Sequence, residues 1–274
     1  MHDQNQTILV PCDFSTLNDY AFHHAVEISK VTENDITLLH VIKKESEINA
    51  ARENMEKLLE KYKQEFGIAP SYRIDKGNIY KTISSVASKE LNTSLAVMKT
   101  SGETGKYSLS HPLKIMLGSK VPFIVVQRPP RKGTVEKVVS PIDFRTENKE
   151  KTNWLIFLSK YYKCKFYLYK PEHKDSLLNR NIRNNLRFTT QVLDKKEIDY
   201  EIVTSKGGGD FNIKMLEFAN SIDSDLIILL LNKNRGLLSF LSGMKEQEVV
   251  ANKYKIPVMC VNPRADLRKY GGFH

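Results

Sequence analysis

One nine-residue stretch occurs twice in this chain and constrains the rest of it. The first copy is Val10-Pro11-Cys12-Asp13-Phe14-Ser15-Thr16-Leu17-Asn18; the second is Ser140-Pro141-Ile142-Asp143-Phe144-Arg145-Thr146-Glu147-Asn148. Pro, Asp, Phe, Thr and Asn keep their places, and the separation is that of one small domain, so the chain reads as two related halves. Each copy follows a short apolar run (7–10 and 135–139) and precedes a helical pattern. Each is therefore a strand-to-helix turn with an aspartate leaving the carboxyl end of the strand, which is where open α/β sheets hold ligands.

The residues between the copies alternate in period. Ile8-Leu9-Val10 is a continuous apolar run of the kind expected of a buried parallel strand. Thr16 or Asn18 is placed to cap the next helix, whose stripe is Ala21, Ala25, Ile28 and Val31. A second strand spans 36–42, and a long amphipathic helix runs from Ile48 to Phe66, stopped by Gly67 and Pro70. A third strand at 72–74, a Gly77-Asn78 turn, a third helix from Ile79 to Leu91, a fourth strand at 95–98, a glycine-bearing loop at 99–108, a fourth helix around Leu113 to Leu117 and a fifth strand at 122–126 complete the half. The second half repeats the plan, with strands at 135–139, 165–169, 200–203, 225–231 and 257–261. Strict alternation predicts an α/β fold of two tandem doubly wound parallel sheets, each five-stranded. The expected domains are 1–127 and 135–274, joined by a stiff Pro-Pro linker at 128–134. The tail beyond Arg264 is expected to fray.

Composition narrows the function. The balance is basic, +10 with pI near 9.3, but Lys and Arg alternate with Glu and Asp, which suits a solvated surface more than a nucleic-acid footprint. The three cysteines, Cys12, Cys164 and Cys260, form no CxxC, which fits a reducing cytoplasm and neither a disulfide framework nor a zinc site. The polar start shows no signal peptide, and the run 226–231 is too short to span a bilayer.

Taken together, Val10-Pro11-x-Asp13-Phe14-Ser15, Leu39-His40-Val41, Gly77-Asn78-Ile79, Val97-Met98 and Ser119 to Val126 resemble the universal stress protein family, in its tandem form; Pro141-Ile142-Asp143-Phe144, Asp225 to Ile228 and Ile256-Pro257-Val258 carry the resemblance through the second half. The resemblance implies strand order 3-2-1-4-5 and pairing of the halves through their fifth strands, with a homodimer as a further arrangement. It also implies an adenine-nucleotide site (ATP, ADP or AMP), with Pro11, Asp13 and the backbone at Val41 on the adenosine side, and Mg²⁺ only where ATP is bound. The family's phosphate loop, Gly-x-x-Gly then Gly-Ser or Gly-Thr, lets backbone N–H groups and a helix N-terminus meet the anion. Here Lys99 stands at the first glycine, Gly102 fits the second, Gly105 lies in the gap and Leu109-Ser110 stands at the Gly-Ser. In the second half Leu230 and Lys233 replace both early glycines, and Met244 follows Gly243 where the hydroxyl belongs.

Several residues have bland alternatives. Asp13 and Asp143 either contact a ligand or cap their own turns. Lys99 either supplies a point charge to phosphate or is solvated. Ser110-His111 lacks an orienting third group, so capping by Ser110 is preferred to nucleophilic catalysis. Of His23 and His24 one is expected to face the sheet edge and the other water, with no partner at metal-ligand spacing; His40 is expected to be a satisfied histidine, and Cys12 is either a redox reporter or a small buried filler. Gly207-Gly208-Gly209 follows the third strand and only superficially resembles a phosphate cradle. Arg180, Arg183 and Arg187 form a basic stripe that is either a wet face or a surface for acidic partners. The expected function is a non-enzymatic, cytoplasmic stress-response or regulatory module with nucleotide bound in its first half. The alternatives are a nucleotide-independent interaction protein and, last, a slow ATP hydrolase.

Overall fold

The computed structural model describes residues 6–100, 115–116, 119–172, 176–231 and 246–262. The chain divides into two compact units, Met1–Gly133 and Thr134–His274. In the first, β1 (Thr7–Cys12), α1 (Asn18–Thr32), β2 (Asp35–Ile42), α2 (Ile48–Phe66), β3 (Ser71–Lys76), α3 (Ile79–Ser85), β4 (Thr93–Lys99) and β5 (Phe123–Val126) follow in turn. All pairings are parallel, in the order β3-β2-β1-β4-β5. The central strands are buried because crossover helices cover both faces: Ile8, Leu9, Val10, Leu38, Leu39, Ala96 and Val97 have essentially no exposure.

Helix α1 starts differently from the sequence expectation. Neither Thr16 nor Asn18 caps it; Leu17 holds the N-cap position without a side-chain bond. The N–H groups of Asn18, Asp19 and Tyr20 instead reach the carbonyls of Ser15, Thr16 and Leu17 at 2.9, 3.3 and 3.2 Å, a tight i→i+3 turn that satisfies the orphan donors internally. The buried face is also rotated: Ala21, Phe22, Ala25 and Val26 are inside, while Ile28 and Val31 are half-buried. The cause is α2, whose Tyr62 ring stacks on Phe22 at 3.7 Å with Phe66 edge-on at 5.4 Å from Phe22. Tyr62 then donates its hydroxyl to Asp19 at 3.0 Å, and Lys61 donates to the same carboxylate at 2.6 Å, which pins the first turn of α1 to α2. Gly67 ends α2 with φ +69°, the left-handed conformation a glycine takes without cost. Asn78 caps α3 by accepting from the N–H groups of Tyr80 and Lys81, and the helix runs on into a single π turn at Val86–Glu90.

The second unit contains β6 (Lys137–Pro141), α4 (Lys151–Tyr161), β7 (Lys165–Pro171), α5 (Ser176–Lys195), β8 (Tyr200–Ser205), α6 (Phe211–Ser221), β9 (Leu226–Leu230), α7 (Glu246–Val250) and β10 (Val258–Val261). Its order is β8-β7-β6-β9-β10, again wholly parallel, the same 3-2-1-4-5 plan. The fourth helix expected near 113–117 and the tail beyond 264 lie outside the described residues, apart from Ile115 and Met116, which are buried. Among the described residues no helix is long and apolar enough to cross a membrane.

One feature sets up the site in each unit. β1 pairs with β4 only as far as Leu9 opposite Ala96, and β6 with β9 only as far as Val139 opposite Ile227. Pro11 and Pro141, two residues further on, have no N–H with which to extend the ladder. The neighbouring strands therefore part toward their carboxyl ends, at the point where the strand order reverses.

The stretch after β5 returns to α1, where His24 Nε2 donates to the carbonyl of Arg128 at 3.1 Å. Burial, assisted by the neighbouring His23, pushes the His24 pKa down from 6.5 to about 4. An imidazole held neutral in the fold but free to protonate when unfolded weakens the fold as pH falls from 6.5 toward 4. His24→Gln is expected to flatten the pH dependence of stability across that window in urea titrations; an unchanged slope would show that this imidazole is not the titrating group.

Candidate functional site

The first unit places Asp13 immediately after β1, in the gap between β1 and β4. Phe14 follows with φ +60°, a left-handed backbone that is rare for a bulky side chain. This reversal turns the chain back so that Ser15 closes on Asp13: its N–H donates to Asp13 Oδ1 at 3.1 Å and its hydroxyl donates to the same oxygen at 2.7 Å. Lys99, the last residue of β4, reaches across the gap. Its ammonium lies 2.8 Å from Asp13 Oδ2 and donates to Ser15 Oγ at 2.6 Å. Burial alone would raise the Asp13 pKa, but the bonds from Lys99 and Ser15 outweigh it and hold the carboxyl below its ordinary value. The pair is still accessible, with 51% of the Asp13 side chain and 21% of Lys99 exposed.

The rest of the rim is aromatic and backbone. The Phe14 ring sits 4.4 Å from the His40 ring, and His40 Nδ1 donates to the carbonyl of Cys12 at 2.9 Å. Cys12 pairs with His40 in register, so Val41 lies one step beyond the last β1–β2 pair, with its other edge paired to Asp75 of β3. Pro11, Asp13, Val41 and Lys99 thus meet at one sheet edge. Gly102 and Ser110, with Gly105, Leu109 and His111, lie outside the described residues. Cys12 is buried, and burial pushes its thiol up to about 11, the setting of a small buried filler.

The second unit resolves the same position differently. Asp143 Oδ1 accepts from the Arg145 N–H at 2.9 Å, and Oδ2 accepts from Arg145 Nε at 2.8 Å and Nη2 at 2.5 Å. Nη2 also donates to the carbonyl of Leu230, at the end of β9, at 3.2 Å. Asn185 of α5 donates to the carbonyls of Asp143 and Arg145 at 2.8 and 2.7 Å. Beneath them Lys151, 2% exposed, donates to the Pro141 carbonyl. Burial pushes its ammonium down to about 7, with Arg145 adding to the shift and Asp143 opposing it. Leu230 is buried where a phosphate loop would need a glycine; Lys233, Gly236, Gly243 and Met244 lie outside the described residues.

Other sequence candidates resolve structurally. The carbonyls of Lys206 and Gly207 accept from Lys214 Nζ at 2.6 and 2.9 Å, and Asp210 caps α6, so the triple-glycine turn cradles a cation. His23 packs 5.2 Å from the Phe66 ring. Arg180, Arg183 and Arg187 are exposed on α5, whose inner face is Ile182, Asn185, Thr189 and Leu193. Among the described residues no group of three or more His, Cys, Asp or Glu is arranged to hold a metal.

Residues 4–127 match the profile of the universal stress protein family. That match spans the first unit, which is similar to universal stress proteins. Solved structures extend the likeness in fold to the whole length. A universal stress protein from Archaeoglobus fulgidus is 16% identical with a TM-score of 0.72, covering 95% of this chain and 97% of its own. A functionally unknown protein from Pseudomonas aeruginosa is 15% identical, with a TM-score of 0.65 and coverage of 98% and 96%. A putative universal stress protein from the same species is 14% identical at a TM-score of 0.63, covering 98% and 97%. No curated protein sequence matches the chain.

Sequence reasoning missed three participants: Ser15, which links Lys99 to Asp13; the Phe14–His40 ring pair; and Arg145. The signal for Ser15 was its place two residues after an aspartate, the spacing of a side chain that hydrogen-bonds its own backbone. The signal for Arg145 was that it occupies the Ser15 position in the second copy of the repeat. Lys99→Met is expected to raise the Asp13 pKa toward its ordinary value and Ser15→Ala to raise it less, read from the carboxyl carbon by NMR titration. A Ser15→Ala effect larger than that of Lys99→Met would reverse the assigned hierarchy.

Proposed function

We propose that the first unit binds an adenine nucleotide at the carboxyl edge of β1, β2 and β4, without catalysing a reaction, and that the second unit serves as scaffold in a stress-response or regulatory protein. The observation that carries this reading is the Asp13–Lys99 pair. It sits at the switch point of the sheet and is open to solvent, and it places one anion and one cation on opposite sides of the strand gap. An exposed ion pair of this kind holds with only about 0–1 kcal/mol. A nucleotide can therefore take Asp13 for hydroxyl or amino donors of adenosine, while Lys99 turns to phosphate and supplies the charge that backbone donors supply in a glycine loop. The Phe14 and His40 rings and the edge of Val41 beyond the last β1–β2 pair offer an apolar and backbone rim for the base. Mg²⁺ enters only with ATP.

The non-enzymatic reading rests on how the polar groups are committed. The depressed pKa of Asp13 makes it a weak general base, and the Ser15 hydroxyl is already held between Asp13 and Lys99. We place the protein in the cytoplasm because its three cysteines are buried and held in no disulfide. A nucleotide-independent interaction module is the second reading; it is favoured by Asp13 accepting from its own turn, as a carboxylate with a purely structural role does.

Calorimetric titration of ATP is expected to show micromolar binding of no more than a single nucleotide per chain, weakened at least about tenfold by Asp13→Ala, a loss of about 1.4 kcal/mol. Binding that survives Asp13→Ala unchanged would remove this site. Absence of any binding, together with no nucleotide in extracts of the purified, denatured protein, would favour the interaction module.

A further inference from the structure

The two units hold the same carboxylate with cations drawn from different places in the chain. In the first unit the partner is Lys99, on β4. Strand register puts Leu230 at the equivalent position of β9, since Lys99 and Leu230 each lie three residues beyond the last paired residues, Ala96 and Ile227. The second unit thus has no cation at that position of β9. Its cation comes from the turn, where Arg145 stands in place of Ser15.

That exchange changes what fills the gap. The guanidinium of Arg145 bridges from Asp143 Oδ2 on the β6 side to the Leu230 carbonyl on the β9 side, so it lies across the mouth of the parted strands. A guanidinium is a planar fork whose donors suit this pairing of a carboxylate with a carbonyl. Its surroundings are built to hold it: Asn185 fixes the backbone on both sides of Phe144 through two carbonyls, and the buried Lys151 is tied to Pro141 rather than to Asp143. With Asp143 only 22% exposed against 51% for Asp13, the second gap is the more closed of the two.

We propose that the second unit retains a binding site for a guanidinium group between the carboxyl ends of β6 and β9, and that Arg145 occupies it in cis and seals the unit against external ligands. The site is that of a ligand crevice whose ligand is the protein's own side chain. This assignment is independent of whether the first unit binds nucleotide.

Trp154, the single tryptophan, lies on α4 of the second unit, so its fluorescence reports unfolding there. In the full-length chain, Arg145→Ala is expected to lower the midpoint of that transition by about 5 °C, because Asp143 loses its partner. Ethylguanidinium, on the order of 10 mM, should restore much of the loss in a saturable way, as a ligand of the folded state does. The same concentration of tetramethylammonium should not, and neither wild type nor the double variant Asp143→Ala/Arg145→Ala should respond to ethylguanidinium. Should Arg145→Ala fail to fold, Arg145→Gln keeps the first three side-chain carbons while removing the charge, and the same rescue is expected. A wild-type midpoint in Arg145→Ala, or equal shifts by ethylguanidinium in the single and double variants, would overturn the proposal.

Discussion

Two parallel strands that part at their carboxyl ends leave a carboxylate facing a gap, and the character of each unit depends on which cation answers it. The parting follows from Pro11 and Pro141, which cannot extend a ladder that stops at Leu9 and Val139. Asp13 and Asp143 emerge just beyond. A carboxylate there loses part of its hydration, and donors close by favour its charged form. Lys99 answers from the neighbouring strand with a compact ammonium on a long stem; Arg145 answers from the adjacent turn with a planar fork.

The surrounding packing keeps these groups in range. The Phe22–Tyr62 stack and the bonds of Tyr62 and Lys61 to Asp19 fix the start of α1 against α2, and with it the tight turn that carries Ser15. The strained backbone at Phe14 presses its ring against His40, which is itself held by the Cys12 carbonyl. In the second unit Asn185 performs the equivalent task from α5, by holding two carbonyls of the turn. The same fold thus supports an accessible ion pair in one half and a more enclosed one in the other. The difference arises from two exchanges, Ser15 for Arg145 and Lys99 for Leu230.

Much of the architecture was legible in the residues. The continuous apolar runs at 8–10 and 226–231 and the largely apolar stretch 36–42 read as buried strands of a helix-covered parallel sheet, and the repeated Pro-x-Asp-Phe turn marked the strand whose end faces the switch point. The long helix ending at Gly67 was readable because amphipathic spacing and a left-handed stop coincide. The start of α1 was not, because Thr16 and Asn18 are good caps by residue type, yet the backbone satisfied its own donors with i→i+3 bonds. Nor was the buried face of α1, because Phe22 was drawn inward by a ring that lies on another helix.

Sequence alone therefore determined the period, the order of strand and helix, the duplication and the place of the two aspartates, since each depends on residues near one another in the chain. Only the tertiary structure decided what those aspartates touch. Lys99 lies far from Asp13 in sequence and meets it because two strands are neighbours in the sheet, and Arg145 reaches the Leu230 carbonyl for the same reason. Contacts across a sheet are set by strand order and register, which hydrogen bonding between distant segments establishes and local pattern does not encode.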